Sequence, residues 1–317
     1  MSIISATLLR RLVNNRLYNV PSKYLLAFMQ PKKRVLDNRV GITTLLCHDY
    51  VPMFIFNINS LFFAIGFSLP INIIDDGSLL KADKQILKKL LSVMIISEKT
   101  ADAKMFSILK KYKNFLKYRF DNHNPISRKK WDAYLLSPYE RTIYLDSNLL
   151  FFKKPKVLFD WIDKESDFVL HLEHSTGLLA HDYEREDFDL MFRNLLSKST
   201  MKLVSGGFNT GLLAIPNSVV FNLEKIDAIF KIFNDSYYSR VFNSEETAMA
   251  ASILDQNHLS LPSKHYVVAC FFQEYEKISR SNLKKNITML HYVYELKRFF
   301  ERDAVELFFS KKFFRLP

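Results

Sequence analysis

The sequence predicts an α/β fold, a mixed, mainly parallel sheet flanked by helices. Three observations carry that expectation. From residue 41 onward, short apolar runs of strand length alternate with longer stretches whose apolar residues recur at helical spacing. Two polar turns, Asp75-Asp76-Gly77-Ser78 and Asp146-Ser147-Asn148, each follow a strand-like run. The chain has 317 residues, 48% of them hydrophobic, enough to bury a large core as one domain or two closely packed ones.

Taken in order, Gly41–Cys47 reads as a strand and Val51–Ile65 as a largely buried helix. Ile71–Ile74 is a second strand, after which Leu79, Ile86, Leu87, Leu90 and Leu91 recur on one helical face. Ser92–Ile96 is a third short strand, and Glu98–Lys117 a helix with its basic residues outward. Pro125 opens another helix through Leu136, since proline suits a first helical turn. Arg141–Leu145 is a strand that ends in Asp146-Ser147-Asn148 and resumes as Leu149–Phe152. Pro155 starts a helix with Val157, Leu158, Trp161 and Ile162 on one face. After the apolar Phe168–Leu170, the stretch 171–202 is polar and aperiodic, and is expected to hold loops or a lid. Gly206 and Gly207 punctuate the return to a strand at Asn209–Ile215, and helices are expected over Phe221–Phe233 and Ser244–Leu254.

The formal charge of +12 favours an anionic partner, and the basic residues gather at the two ends. Residues 1–35 hold no acid but include Arg10, Arg11, Arg16, Lys23, Lys32, Lys33 and Arg34; they read as a basic helical segment preceding a domain over 36–317. Beyond Glu306, Lys311, Lys312 and Arg315 are interleaved with phenylalanines. Such ends suit an anionic membrane surface, and equally a solvated charged surface with some Phe docked on the core. The acid-free opening also leaves a targeting peptide as an alternative. Asn57, Asn59 and Ser60 break the most apolar window, so no spanning helix is expected. Cys47 and Cys270 lie far apart and suggest no disulfide framework. The expected location is cytoplasmic, peripheral on the inner face of a membrane.

In an open α/β sheet, ligands bind beyond the carboxyl ends of the strands, which is where Asp75, Asp76, Asp146 and Asn148 fall. A nucleotide-type ligand at such a strand end offers a base, a ribose and phosphates. One carboxylate can accept hydrogen bonds from base or ribose, and a second can hold a divalent cation against the phosphates. Asp-Asp-Gly-Ser is also an ordinary turn and helix-start composition, and Asp-Ser-Asn an ordinary tight connection.

These residues carry a family resemblance. The run Tyr144-Leu145-Asp146-Ser147-Asn148-Leu149-Leu150-Phe151-Phe152-Lys153-Lys154-Pro155 resembles the DxD region of GT-A glycosyltransferases. Gly207-Phe208-Asn209-Thr210-Gly211-Leu212-Leu213 is similar to the acceptor-side strand of enzymes like glycosyltransferase family 8. Ser244–Ala248 falls where that group carries an acid at a helix start, and His291-Tyr292-Val293 where it carries a metal-binding histidine. The four landmarks keep the family's order over roughly residues 41–300.

The resemblance implies a GT-A-type (Rossmann-like) fold and transfer of a sugar from a nucleotide-sugar donor, a UDP-sugar by default, to a glycan, lipid-linked or protein acceptor, with a retaining outcome. It implies that Asp75 and Asp76 hold the nucleoside, that Asp146 holds the ribose or the metal, and that Asp146, Asn148 and His291 are the set for a divalent cation, Mn or Mg. Glu245 or Glu246 would face the reacting sugar, and Asn209 would reach the donor or acceptor sugar. Asn148 stands where the pattern has a second Asp, and a neutral amide is a poorer ligand for a hard cation, which puts metal dependence in question. Lys129, Lys297 and Arg298 are candidates to neutralise the phosphates instead.

Each of these residues has a structural alternative. Asn243 with Glu246 fits a helix capping box, Asn209 a buried amide serving loop backbone, and His291 a core histidine. The basic side chains fit a solvated surface, and Trp131 and Trp161 either stack on sugars or fill the core. Two other functions stay open, a non-catalytic nucleotide-sugar binder and a basic nucleic-acid-binding protein. No nucleic-acid-binding motif is present, so nucleic acid is not the expected partner.

Overall fold

The chain enters the core as β1 (Val40–Leu46), every residue of which is buried, and passes through α1 (Val51–Ile65) to the equally buried β2 (Ile71–Asp75). Strands this short of exposed residues are covered on both faces, as parallel strands are. There follow α2 (Lys81–Leu90), β3 (Val93–Ile96), α3 (Glu98–Leu109), α4 (Lys113–Phe120), α5 (Pro125–Leu135), β4 (Arg141–Leu145), β5 (Leu149–Phe151), α6 (Lys156–Asp163) and β6 (Val169–Glu173). The second half comprises α7 (Lys198–Ser205), β7 (Phe208–Ile215), α8 (Leu223–Asp235), α9 (Ser244–Ile253), β8 (His258–Ser260), β9 (Tyr266–Ala269), α10 (Phe272–Lys277), β10 (Met289–Tyr292) and α11 (Lys297–Phe309). This computed structural model describes residues 39–120, 125–174, 190, 192–205, 207–235, 244–253, 255–270, 272–278 and 286–309. The basic segment 1–35, the tail past 309, Asn243 and half of the expected lid stretch lie outside the described residues.

The main sheet has the order β3-β2-β1-β4-β7-β6-β8. Strands β1 to β4 are parallel to one another, β6 is parallel to β8, and β7 alone is inserted antiparallel between β4 and β6. A second sheet, β5-β10-β9, pairs β10 antiparallel to β5 and parallel to β9. The architecture is therefore the mixed, mainly parallel sheet with flanking helices that the sequence predicts. Successive residues of one strand serve opposite faces: Ile73 belongs to the core cluster that holds Phe54, Phe62 and Leu87, and Ile74 to the one that holds Met105, Trp131 and Phe230. Trp131 meets Phe115, Tyr134 and Phe221 edge-on, and Trp161 donates its Nε1–H to the Phe168 carbonyl, so both tryptophans are core residues.

Three local expectations differ from the structure. The helix expected over Glu98–Lys117 is two helices, because the Asp227 carboxylate of α8 accepts from the Asn114 and Phe115 backbone N–H groups at 2.8 Å and restarts the helix there. A cap supplied 112 residues away leaves no local signal. The strand expected to end at Leu170 runs on through His171, Leu172 and Glu173, hidden by two polar side chains. The continuation after Asn148 does not extend the main sheet but opens the second one.

His171 explains its own place in that strand. It is fully buried, its Nδ1 lies 3.1 Å from the Leu172 carbonyl, and its Nε2 lies 3.3 Å from His258 Nδ1. Burial, reinforced by His258, pulls its pKa down to about 4. An unfolded chain takes up this proton near pH 6.5, whereas the folded one resists until about 4, so the neutral ring's contribution is full above pH 6.5 and is lost as pH falls. Denaturant unfolding between pH 7 and pH 4 should show the wild type losing about 3 kcal/mol more than His171→Gln. Parallel curves for the two proteins would contradict this assignment.

Candidate active site

Antiparallel insertion gives β7 a particular consequence. Its amino end lies beside the carboxyl end of β4, with Leu145 opposite Leu212 and the Asp146 N–H donating to the Gly211 carbonyl at 2.8 Å. Asp146 from β4 and Asn209, Thr210 and Gly211 from β7 thus share one end of the sheet, where ligands bind in α/β folds. The amino end of α9 brings Glu245 and Glu246 to the same place, α5 brings Lys130 and Tyr134, and β10 brings His291.

A single ammonium sits among three carboxylates. Lys130 Nζ is 3.3 Å from Asp146 Oδ1 and 3.6 Å from Glu245 Oε2, and donates to Thr210 Oγ1 at 2.7 Å. The Thr210 hydroxyl donates onward to Glu245 Oε2 at 3.1 Å, and Tyr134 donates to Glu245 Oε1. Burial alone would lower the pKa of Lys130, but Asp146 and then Glu245 hold it raised, so it stays charged. Burial likewise pushes Asp146 up, and Lys130 foremost, with the Tyr144 hydroxyl donating to Oδ1, more than offsets this, leaving it well below the usual carboxylate range. Asp146 is also 26% exposed, whereas Glu245 is 3% exposed, so Asp146 is where the cluster meets solvent.

Glu246 is different. Its Oε1 accepts from Asn209 Nδ2 at 2.8 Å and from the Thr210 N–H at 3.2 Å, while its Oε2 is buried with no hydrogen-bond partner in the protein. Burial, then the neighbouring Glu245, pushes its pKa to about 8. With Lys130 already shared between two carboxylates, Glu246 keeps its proton at neutral pH and acts as a neutral acid. Glu245 is raised by burial and by Asp146, against the pull of Lys130.

Asn209 fixes the orientation of His291. Its Oδ1 accepts from the Gly211 N–H at 3.0 Å, which sets the amide, and the same oxygen lies 3.2 Å from His291 Nδ1. Nδ1 therefore carries the proton and donates, leaving the Nε2 lone pair directed at Asp146 Oδ2, 3.5 Å away. Burial pulls His291 down despite Asp146, so two acceptors face one another at that gap. Such an arrangement suits a bridging cation, with Asn209 as the outer hydrogen bond that aims the imidazole. A Cβ at Gly211 would overlap the His291 ring, which accounts for glycine there.

Asn148 has a structural role that an aspartate could not fill. Its Nδ2 donates to the Tyr292 carbonyl at 2.5 Å while the Tyr292 N–H donates back to the Asn148 carbonyl at 3.0 Å, stapling the turn after β4 to β10. Its amide oxygen is the atom left for a ligand. Among the described residues, no group of three His, Cys, Asp or Glu side chains gathers around one point, so a cation here would rest on Asp146 and His291 with that amide.

The remaining predicted residues lie around this centre or away from it. Asp75 accepts from the Gly77 and Leu79 N–H groups and pairs with Lys84 at 2.6 Å, and Asp76 accepts from Ser78, so both build the turn after β2. Lys129 is bound to the Asp76 carbonyl and Glu98, away from Asp146, and its neighbour Lys130 is the ammonium of the cluster. Sequence reasoning missed Lys130, although its i,i+4 spacing from Tyr134 puts both on one helical face. Lys297 lies over the Tyr50 ring and donates to its hydroxyl at 2.8 Å, close enough to His291 to lower its pKa. Arg298 is exposed and lies over the Phe299 ring. A cavity of about 370 Å³ opens at the opposite end of the sheet, lined by Arg39, Arg141, Glu165 and Asp167 among others.

No family model and no curated protein matches the chain. Among solved structures, mouse xyloside xylosyltransferase 1 is similar with a TM-score of 0.49 at 12% identity, over 80% of this chain and 96% of that one. The galactosyltransferase LgtC, solved with donor and acceptor sugar analogs, gives 0.45 at 12% identity over 84% and 95%. The glycosyltransferase GlyE of Streptococcus pneumoniae TIGR4 gives 0.48 at 15% identity, over 86% of this chain and 60% of that one.

Two substitutions test this geometry. Lys130→Met should cost about 3 kcal/mol at pH 8.5 and clearly less at pH 6, where the carboxylates can take up protons; equal losses at both values would show that Lys130 does not compensate the cluster. Asn148→Asp should lose about 1–3 kcal/mol, since its carboxylate would face the Tyr292 carbonyl without a donor. Denaturant melts would reveal an unchanged midpoint if that staple contributes nothing.

Proposed function

We propose that the protein is a nucleotide-sugar-dependent glycosyltransferase, and that the cluster around Asp146 and Lys130 is its donor site. The observation that carries this reading is a buried ammonium and an aimed imidazole meeting a part-exposed carboxylate at the ligand-binding end of the sheet. The sequence resemblance to GT-A enzymes falls on the same residues. The role of the pair Asp146 and His291, with the Asn148 amide oxygen, would be to hold a divalent cation, Mn or Mg. When bound, such a cation would neutralise charge on the donor diphosphate.

In this reading Lys130 stabilises the charge that gathers on the diphosphate oxygen as the bond to the anomeric carbon breaks. Lys297 lies at the edge of the same site. Glu245 faces the sugar as a negative charge when ionised, stabilising the cationic ring in a retaining reaction. Glu246, being neutral, is no base; its unpartnered Oε2 is a hydrogen-bond donor to the sugar or the acceptor hydroxyl. Asn209 positions both Glu246 and His291. Asp75 and Asp76 set the turn against which the nucleoside would lie. A UDP-sugar is the first donor to try, with a glycan, lipid-linked or protein acceptor. The basic ends suggest work at an anionic membrane face; no helix among the described residues is long and apolar enough to cross one.

Asn148 favours one other reading, a protein that binds nucleotide sugars without transferring them, since its amide nitrogen is committed to Tyr292. Thermal shifts with UDP-, GDP-, CMP- and dTDP-sugars, with and without Mn, should single out one donor class. Hydrolysis or transfer of that donor should fall about a hundredfold in Asp146→Asn; donor binding with no turnover in wild type would favour the binder. Transfer should also decline above about pH 8 as Glu246 ionises, and Glu246→Gln should remove that decline. An alkaline limb that persists in the Gln variant would assign it to another group.

A further inference from the structure

Beside the carboxylate cluster, two residues not used above meet at strand ends. His174 directly follows β6 and Cys270 directly follows β9. The His174 N–H donates to the Gly207 carbonyl at 2.6 Å, and Gly207 has φ +108 with His174 so close that a Cβ there would lie 2.9 Å from it. Glycine is required on both counts. Pinned in this way, the imidazole places Nδ1 3.2 Å from Cys270 Sγ and Nε2 3.2 Å from Asn209 Nδ2.

The amide fixes the tautomer. Asn209 Nδ2 has no lone pair; one hydrogen goes to Glu246 and the other points at His174 Nε2, which must accept it. His174 then carries its proton on Nδ1 and donates to sulfur, an interaction that favours a thiolate over a thiol. Tyr294 is a further titratable group facing this sulfur; burial first, then Cys270 and Glu246, push its hydroxyl up, so it stays neutral. The chain's other cysteine is a built-in reference. Cys47 is half-buried like Cys270, but burial and then Asp76 push its thiol up.

We propose that Cys270 and His174 form a thiolate-stabilising couple that makes Cys270 a site of covalent modification by soft electrophiles and small disulfides. With an alkyl halide, sulfur forms a bond to carbon and the halide leaves with the bonding pair. With a small disulfide, a mixed disulfide forms and the other half departs as a thiolate, so no external oxidant is consumed. Neither reaction depends on the sugar-transfer reading.

The test is iodoacetamide labelling of the native protein from pH 5.5 to 9.5, followed by peptide mass spectrometry. At pH 7 Cys270 should be alkylated at least about tenfold faster than Cys47, with a rate midpoint below the ordinary thiol value of about 8.5. His174→Leu should slow Cys270 about tenfold at pH 7 and raise its midpoint, leaving the Cys47 rate unchanged. A Cys270 midpoint at or above that of an ordinary thiol, or a rate indifferent to His174, overturns the proposal. Should His174→Leu fail to fold, the pH profile of the native protein decides alone.

Discussion

The antiparallel insertion of β7 between β4 and β6 is the constraint on which the site depends. Had β7 run parallel to β4, its Asn209-Thr210-Gly211 end would lie at the far edge of the sheet, about 25 Å from Asp146 for eight residues of strand. Reversed, it delivers an amide, a hydroxyl and a glycine to the end of β4 within hydrogen-bond distance of two carboxylates and one imidazole. The second sheet then adds His291, because β10 pairs with β5 immediately after the Asp146–Asn148 turn.

Charge decides how these groups behave. One ammonium cannot neutralise three clustered carboxylates, two of them buried, and burying the excess as ions would be costly. The burden is divided. Asp146 and Lys130 form a charged pair at the opening, while Glu246 retains a proton beside the unpartnered space at its Oε2. Asn148 belongs to the same balance. A fourth carboxylate there would add charge to a site already in excess, and would break the staple to Tyr292.

The strand and helix alternation up to residue 170 was legible because those strands are nearly all apolar and each helix keeps one apolar face. Asp146, Asn209, Glu245, Glu246 and His291 were reached through motif order, and the structure gathers all five within one hydrogen-bonded network. Lys130 was not reached. Lys129 and Lys130 differ only in helical phase, and assigning one to the cluster requires knowing that Tyr134 faces Glu245. The Asp227 cap, the His171–His258 contact and the Cys270–His174 pair were illegible for a related reason, since each joins residues from 87 to 113 positions apart.

Where a donor binds decides the function of this site. A crystal structure of the protein with a non-hydrolysable nucleotide sugar would decide it. The diphosphate should lie against Asp146, His291 and Lys130, with the sugar toward Glu245 and Glu246. A nucleotide found instead in the cavity lined by Arg39 and Arg141, at the other end of the sheet, would contradict it.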